Sequence, residues 1–137
     1  MKQEYKDVVK RHRPAGYTLT ERVMPAHYGI TVFARGITTE PIVSREALFT
    51  FLHECGHVHC RHISHDGQIP DWREEYEADQ YAIKAMRAEG YAVPRERHKY
   101  GQKIVRGLIA AANKKGDHVD DEEVLRYAFG RYWRNHK

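Results

Sequence analysis

The sequence has no apolar run near the roughly eighteen residues that a membrane-spanning helix requires, so no membrane partner is expected. Its charged opening, MKQEYKD, lacks the apolar stretch of a secretory signal, and the protein is read as soluble and cytoplasmic. It has only two cysteines, Cys55 and Cys60. Five residues apart on one helix, their side chains point to different faces, which argues against a disulfide between them. A tract of one charge sign is also lacking: 23 lysines and arginines stand against 19 acidic residues, a net +4 dispersed along the chain. Such a dispersed excess keeps a small domain soluble and does not favour a nucleic-acid partner. Repeats, low-complexity tracts and interdomain linkers are absent, so residues 1–137 are expected to form one domain, with 41% hydrophobic residues to build its core.

What is present changes character along the chain. Residues 1–13 alternate in charge around Tyr5, Val8 and Val9, the pattern of a short amphipathic helix or a loose arm, before Pro14 and Gly16 interrupt it. From Tyr17 to about Val43, the segments TLTERVM, YGITVFA and ITTEPIV are β-branched and aromatic, separated by Pro25, Gly36 and Pro41; three short antiparallel strands are expected. Ser44 is then placed to cap a helix with Glu46 in its first turn. In that helix Ala47, Leu48, Phe51, Leu52, Cys55 and Val58 recur three and four residues apart, which predicts one face toward the core and the histidines along the adjacent edge. Residues 64–71 break the pattern. Further helices are expected from Trp72, capped by Asp71, to about Glu89, from Pro94 to the Lys114–Gly116 stop, and from Asp120 or Asp121 to Tyr132. The fold class is α+β: a small antiparallel sheet of about three strands followed by about four helices.

The first of these helices carries HECGH. Four-residue spacing puts His53 and His57 one turn apart, so both imidazoles can reach a single ion at about 2.0 to 2.1 Å, the zinc–nitrogen distance. Glu54 is then placed to take a proton from water activated at that ion and to hand it to the leaving amine, the two proton transfers of peptide hydrolysis. The pentapeptide alone decides little, because at this composition His-Glu-x-x-His arises by chance about once in fifteen chains. Its weight comes from its place in mid-helix, behind a capped start, and from the acidic segment some twenty residues downstream.

Catalytic zinc usually takes three protein ligands and leaves one position to water. In EEYEADQYA, residues 74–82, Glu75 is favoured as the third ligand, because Asp79 lies one turn further on the same face and can accept the other ring N–H of a zinc-bound histidine. Glu77 remains the rival ligand and Glu74 a further one; at helical spacing they meet Tyr81 and Ala78, so neither brings a second carboxylate. A longer motif with another histidine six residues after the second ligand fails, since Ile63 holds that position. His62 and His65 are read as exposed residues at the helix end and His59 as pointing away from the pair, with a role as accessory metal ligands as the lesser alternative. The expected set is therefore His53, His57 and Glu75 on Zn2+, Glu54 as the catalytic base, and Asp79 behind a ligand histidine.

Together, SREALFTFLHECGH and EEYEADQYA resemble the gluzincin metallopeptidases, most closely the ImmA/IrrE family, over roughly residues 28–86. Phe49 to His57 match that family's FTLAHELGH-like helix, and Glu75, Asp79, Tyr81 and Ala82 match its Glu-x-x-x-Asn/Asp stretch and the aromatic-Ala pair after it. Downstream the chain departs, running AIKAMRAEGYAVP where family members often end the helix with Leu-Met-Pro. The resemblance implies a zincin-like fold and a zinc endopeptidase of narrow specificity, acting on a protein or peptide substrate that in several members is a repressor tied to phage or mobile elements. The competing expectation is a non-proteolytic, metal-containing regulator that binds DNA or a protein partner; an intact Glu54 weighs against it, since a purely structural site needs no base.

His98 and Tyr100 are candidate donors to a developing oxyanion. An edge strand near Tyr28 to Ala34 is suited either to pair with an extended substrate or simply to close the sheet. Trp72, Tyr76 and Trp133 suit core or docking positions at least as well as substrate contacts, and no function is assigned to them.

Overall fold

A computed structural model of the chain describes residues 1–25, 28–32, 35–62 and 69–130, without the side chains of 30–32. A 3-10 turn at Gln3–Tyr5 leads into helix α1, Lys6–His12. Strands β1, Thr18–Glu21, β2, Gly29–Val32, and β3, Gly36–Thr39, come next, then helices α2, Arg45–His59, α3, Asp71–Ala88, α4, Arg95–Lys114, and α5, Glu122–Phe129. The fold is α+β and mostly helical. Of the two readings for residues 1–13, the structure adopts the amphipathic helix: Tyr5, Val8 and Val9 are buried in the main core.

The sheet is mixed, which corrects the antiparallel expectation. Its order is β1-β3-β2. The short connection from β2 to β3 turns the chain back, so Gly29 pairs with Thr39 and Val32 with Gly36 in antiparallel register. The longer connection from β1 to β2 leaves room for β3 between them, and β1 runs parallel to β3, with Thr18 opposite Gly36 and Glu21 opposite Thr39. Residue alternation marks a strand but carries no information on its direction.

Ser44 caps α2 as expected, its Oγ accepting the Ala47 N–H at 3.1 Å. The expected one-sided core face is too narrow, however. Every residue from Ala47 to Gly56 is buried, because α2 packs against the sheet and against α1, α3 and α4. The closest approach is at Gly56, where a Cβ would come within 2.9 Å of the Cα and carbonyl oxygen of Ala78 on α3. A glycine here lets the helix of HECGH lie directly on the helix of EEYEAD.

Helix α3 starts one residue earlier than its pattern suggests, with Asp71 inside the first turn and its Oδ1 accepting the Trp72 N–H at 2.7 Å. It ends in a left-handed turn at Gly90, φ +85°, where Tyr91 N–H reaches the Met86 carbonyl at 2.9 Å and Gly90 N–H the Arg87 carbonyl at 3.1 Å. Asp121 caps α5 by accepting the Val124 N–H at 3.3 Å. A second apolar cluster, including Val105, Ile109, Val119 and Leu125, joins α4 to α5, with Trp72 and Tyr76 packed against it. Both cysteines are free thiols. No helix among the described residues is long and apolar enough to cross a membrane. The expectations for residues 63–68, Ala34 and residues 131–137, with His65, Tyr132 and Trp133 among them, lie outside the described residues.

Candidate metal centre

His53 and His57 project from one edge of α2 and bring their Nε2 atoms to 3.1 Å from each other. Glu75 reaches in from α3, with Oε2 at 2.9 Å from His53 Nε2 and 3.5 Å from His57 Nε2. These three residues offer ligand atoms within 4.8 Å of one another, a group that could hold a metal ion. The outer ring nitrogens are both engaged: His53 Nδ1 with Asp79 Oδ1 at 2.6 Å, and His57 Nδ1 with His62 Nδ1 at 3.0 Å. That leaves two imidazole Nε2 atoms and a carboxylate oxygen facing a common point, a donor set that fits zinc.

Glu54 is buried beside them, with Oε2 at 3.9 Å from His53 Nε2. Strand β2 closes over its stem at Gly29, where a Cβ would come to 2.9 Å from Glu54 Cγ and 3.0 Å from Thr50 Cγ2. Glu77 faces elsewhere, its Oε1 at 2.8 Å from His62 Nε2 and its Oε2 accepting from Arg73 Nε at 3.1 Å. Glu74 falls into a second group able to hold a cation, with His57 and His62, again within 4.8 Å.

His62 needs correction: it is not an exposed helix-end residue but 2% exposed. After α2 ends, Arg61 takes a left-handed conformation, φ +63°, and this turn carries His62 against His57. His59 points the other way, its Nε2 donating to the His12 carbonyl at 2.9 Å and its ring stacked on Tyr81.

The profile of the Peptidase U49 family matches residues 32–121, a span holding both α2 and α3. The chain belongs to the Peptidase U49 family. The match supports the peptidase character of the ImmA/IrrE resemblance without singling out that type. No curated protein matches the chain, and no solved structure does.

In this Peptidase U49 chain two carboxylates set the electrostatics of the site. Burial opposes charge on His53, yet the Asp79 and Glu75 carboxylates outweigh it and push its pKa up to about 10. Burial would raise Glu75, but its hydrogen bonds to His53 and His57 hold it well below the usual carboxylate range. Asp79, 1% exposed, is likewise lowered against burial by His53, Arg97 and Tyr127. Tyr127 donates its hydroxyl to Asp79 Oδ2, and burial together with that carboxylate raises the phenol far above its ordinary value, so it stays a donor.

The Peptidase U49 site opens on a cleft of about 190 Å³, walled by Tyr28 and Gly29 of the β2 edge, by Glu54, and by Arg97, Tyr100 and Ile104 of α4. Tyr100 is therefore a wall of this cleft; His98 is not, packing edge-on to Tyr127 at 5.6 Å between ring centres. Sequence reading misses Arg97, Gly101 and Tyr127. Arg97 is 2% exposed, donates through Nε to Thr50 Oγ1 at 3.1 Å, and lies over the rings of Phe49 and Tyr100. Gly101 cradles Asp79: a Cβ there would sit 2.1 Å from Asp79 Oδ2. A glycine in a helix interior is the one signal that points to it.

Proposed function

We propose that the chain is a zinc endopeptidase of gluzincin type with a zincin-like arrangement, in which His53, His57 and Glu75 hold Zn2+ and Glu54 is the catalytic base. The observation that carries this reading is the convergence of two Nε2 atoms and one carboxylate oxygen within 4.8 Å, beside a buried glutamate in an open cleft. A bound zinc supplies Lewis acidity, lowering the pKa of water and polarising the scissile carbonyl.

The remaining work falls to the chain itself. Glu54, fixed between α2 and Gly29, takes the proton from the attacking water and returns it to the leaving amine. Once the second ring proton is expelled, Asp79 holds the remaining His53 proton on Nδ1 and Nε2 is free to ligate. Tyr100, in the cleft wall, is the donor to the developing oxyanion. Strand β2 is a sheet edge bordering the cleft, suited to pair with the backbone of an extended substrate. The substrate is a protein, and the ImmA/IrrE resemblance favours a repressor or other regulator of a phage or mobile element in the cytoplasm.

The test is cleavage of casein by the purified chain before chelation, after EDTA and after zinc is restored. Activity lost with EDTA and recovered with zinc is expected. Cleavage that EDTA leaves untouched would overturn the reading, and zinc binding with no cleavage of casein or of a repressor would favour a non-proteolytic regulator.

A further inference from the structure

His57 is the only ring of the His53, His57 and Glu75 group whose outer nitrogen meets another imidazole. His62 Nδ1 lies 3.0 Å from His57 Nδ1, and its Nε2 lies 2.8 Å from Glu77 Oε1. The His62 side chain is fully buried, so both ring nitrogens depend on these partners. A carboxylate only accepts, which puts a proton on His62 Nε2. In the neutral ring Nδ1 then carries the lone pair and accepts from His57, so His57 keeps a proton on Nδ1, and with a metal in place of its Nε2 hydrogen bond to Glu75 that Nε2 has the lone pair to ligate.

We propose that His62, oriented by Glu77, is a positioning residue that fixes the metal-binding tautomer of His57, as Asp79 does for His53. The inference rests on the zinc reading of the site above. It adds a second supporting arm, from the turn after α2, that no motif spacing marks. The competing use of the same atoms is a second ion held by His57, His62 and Glu74. That use would require His57 to bind metal through both nitrogens and to give up its second ring proton, whereas the hydrogen-bonded chain needs only neutral rings.

The test is zinc affinity by chelator competition for the wild-type chain, His62→Phe and His62→Gln, with zinc per chain counted and the metal-free folds compared by circular dichroism. Gln retains one acceptor and one donor; Phe removes both. The expected results are one zinc per wild-type chain, affinity lower by about 10- to 100-fold in His62→Phe, and recovery of most of it in His62→Gln. A hydrogen-bonded Nδ1–H resonance of His57 is expected in the zinc-loaded wild type, retained in His62→Gln and lost in His62→Phe. A folded His62→Phe chain that binds zinc within about twofold of wild type would overturn the proposal. So would two zinc ions per wild-type chain with one lost in His62→Phe, or absence of the His57 Nδ1–H resonance from the zinc-loaded wild type, which needs no variant to fold. A wild-type chain that binds no zinc would overturn the reading of the site itself, and this inference with it.

Discussion

His53 Nδ1 and Asp79 Oδ1 lie 2.6 Å apart in the buried seam between α2 and α3, so the HECGH and EEYEAD segments meet through this hydrogen bond as well as through Glu75 Oε2, 2.9 Å from His53 Nε2. An aspartate there fixes the ring and increases its donor strength. Asp79→Asn keeps the shape and removes the charge. Zinc affinity is expected to fall by about 10- to 100-fold, read by chelator competition; affinity unchanged within twofold would remove Asp79 from this role.

Glu54 has no part in the ligand group and stands beside it. Glu54→Gln is expected to retain zinc at the wild-type ratio while casein hydrolysis drops by about 10²- to 10⁴-fold, the usual worth of a positioned base. Loss of zinc in this variant would make Glu54 a ligand instead.

Gly101 and Gly107 lie on the same helix and give opposite expectations. A Cβ at Gly101 would sit 2.1 Å from Asp79 Oδ2, whereas one at Gly107 meets nothing within 4 Å. Gly101→Ala should therefore displace Asp79, cost about 1–3 kcal/mol of stability and weaken zinc binding. Gly107→Ala should stabilise the helix by up to about 1 kcal/mol and leave zinc binding alone. Urea unfolding of the two variants, each with a zinc titration, checks the contrast.

The metal-free site has a defined response to pH. His53 is raised from 6.5 to about 10. The stability contributed by its protonated form is fully present below 6.5 and lost as pH rises through about 10. Zinc requires the neutral ring, so binding expels that proton, and apparent affinity should climb roughly tenfold per pH unit across the neutral range. Calorimetric zinc titrations in buffers of different ionisation heat should give about one proton or more released per ion at pH 7. A pH-independent affinity would show that His53 is not a ligand.

Much of this arrangement is legible in the sequence because it is written in local periods. The cap at Ser44, the three- and four-residue recurrence of Leu48, Phe51, Leu52 and Cys55, and the one-turn spacing of His53 to His57 and of Glu75 to Asp79 all come from helix geometry. Glu75 and Glu77, two positions apart, are rotated by about 200° around α3, which is why Glu75 meets His53 and His57 while Glu77 meets His62. Strand direction is not legible, since alternation is the same in parallel and antiparallel pairs. Nor is the burial of His62, which depends on a left-handed Arg61. Arg97 and Tyr127 arrive from α4 and α5 through tertiary packing, and no spacing links them to Asp79.

The most direct measurement is the zinc content of the wild-type chain and of Glu75→Ala, determined by mass spectrometry of the metal after saturation and removal of free ions. One zinc per wild-type chain and almost none in a folded Glu75→Ala chain is the expected result. Zinc absent from wild type, or retained in full by Glu75→Ala, would contradict a centre made of His53, His57 and Glu75.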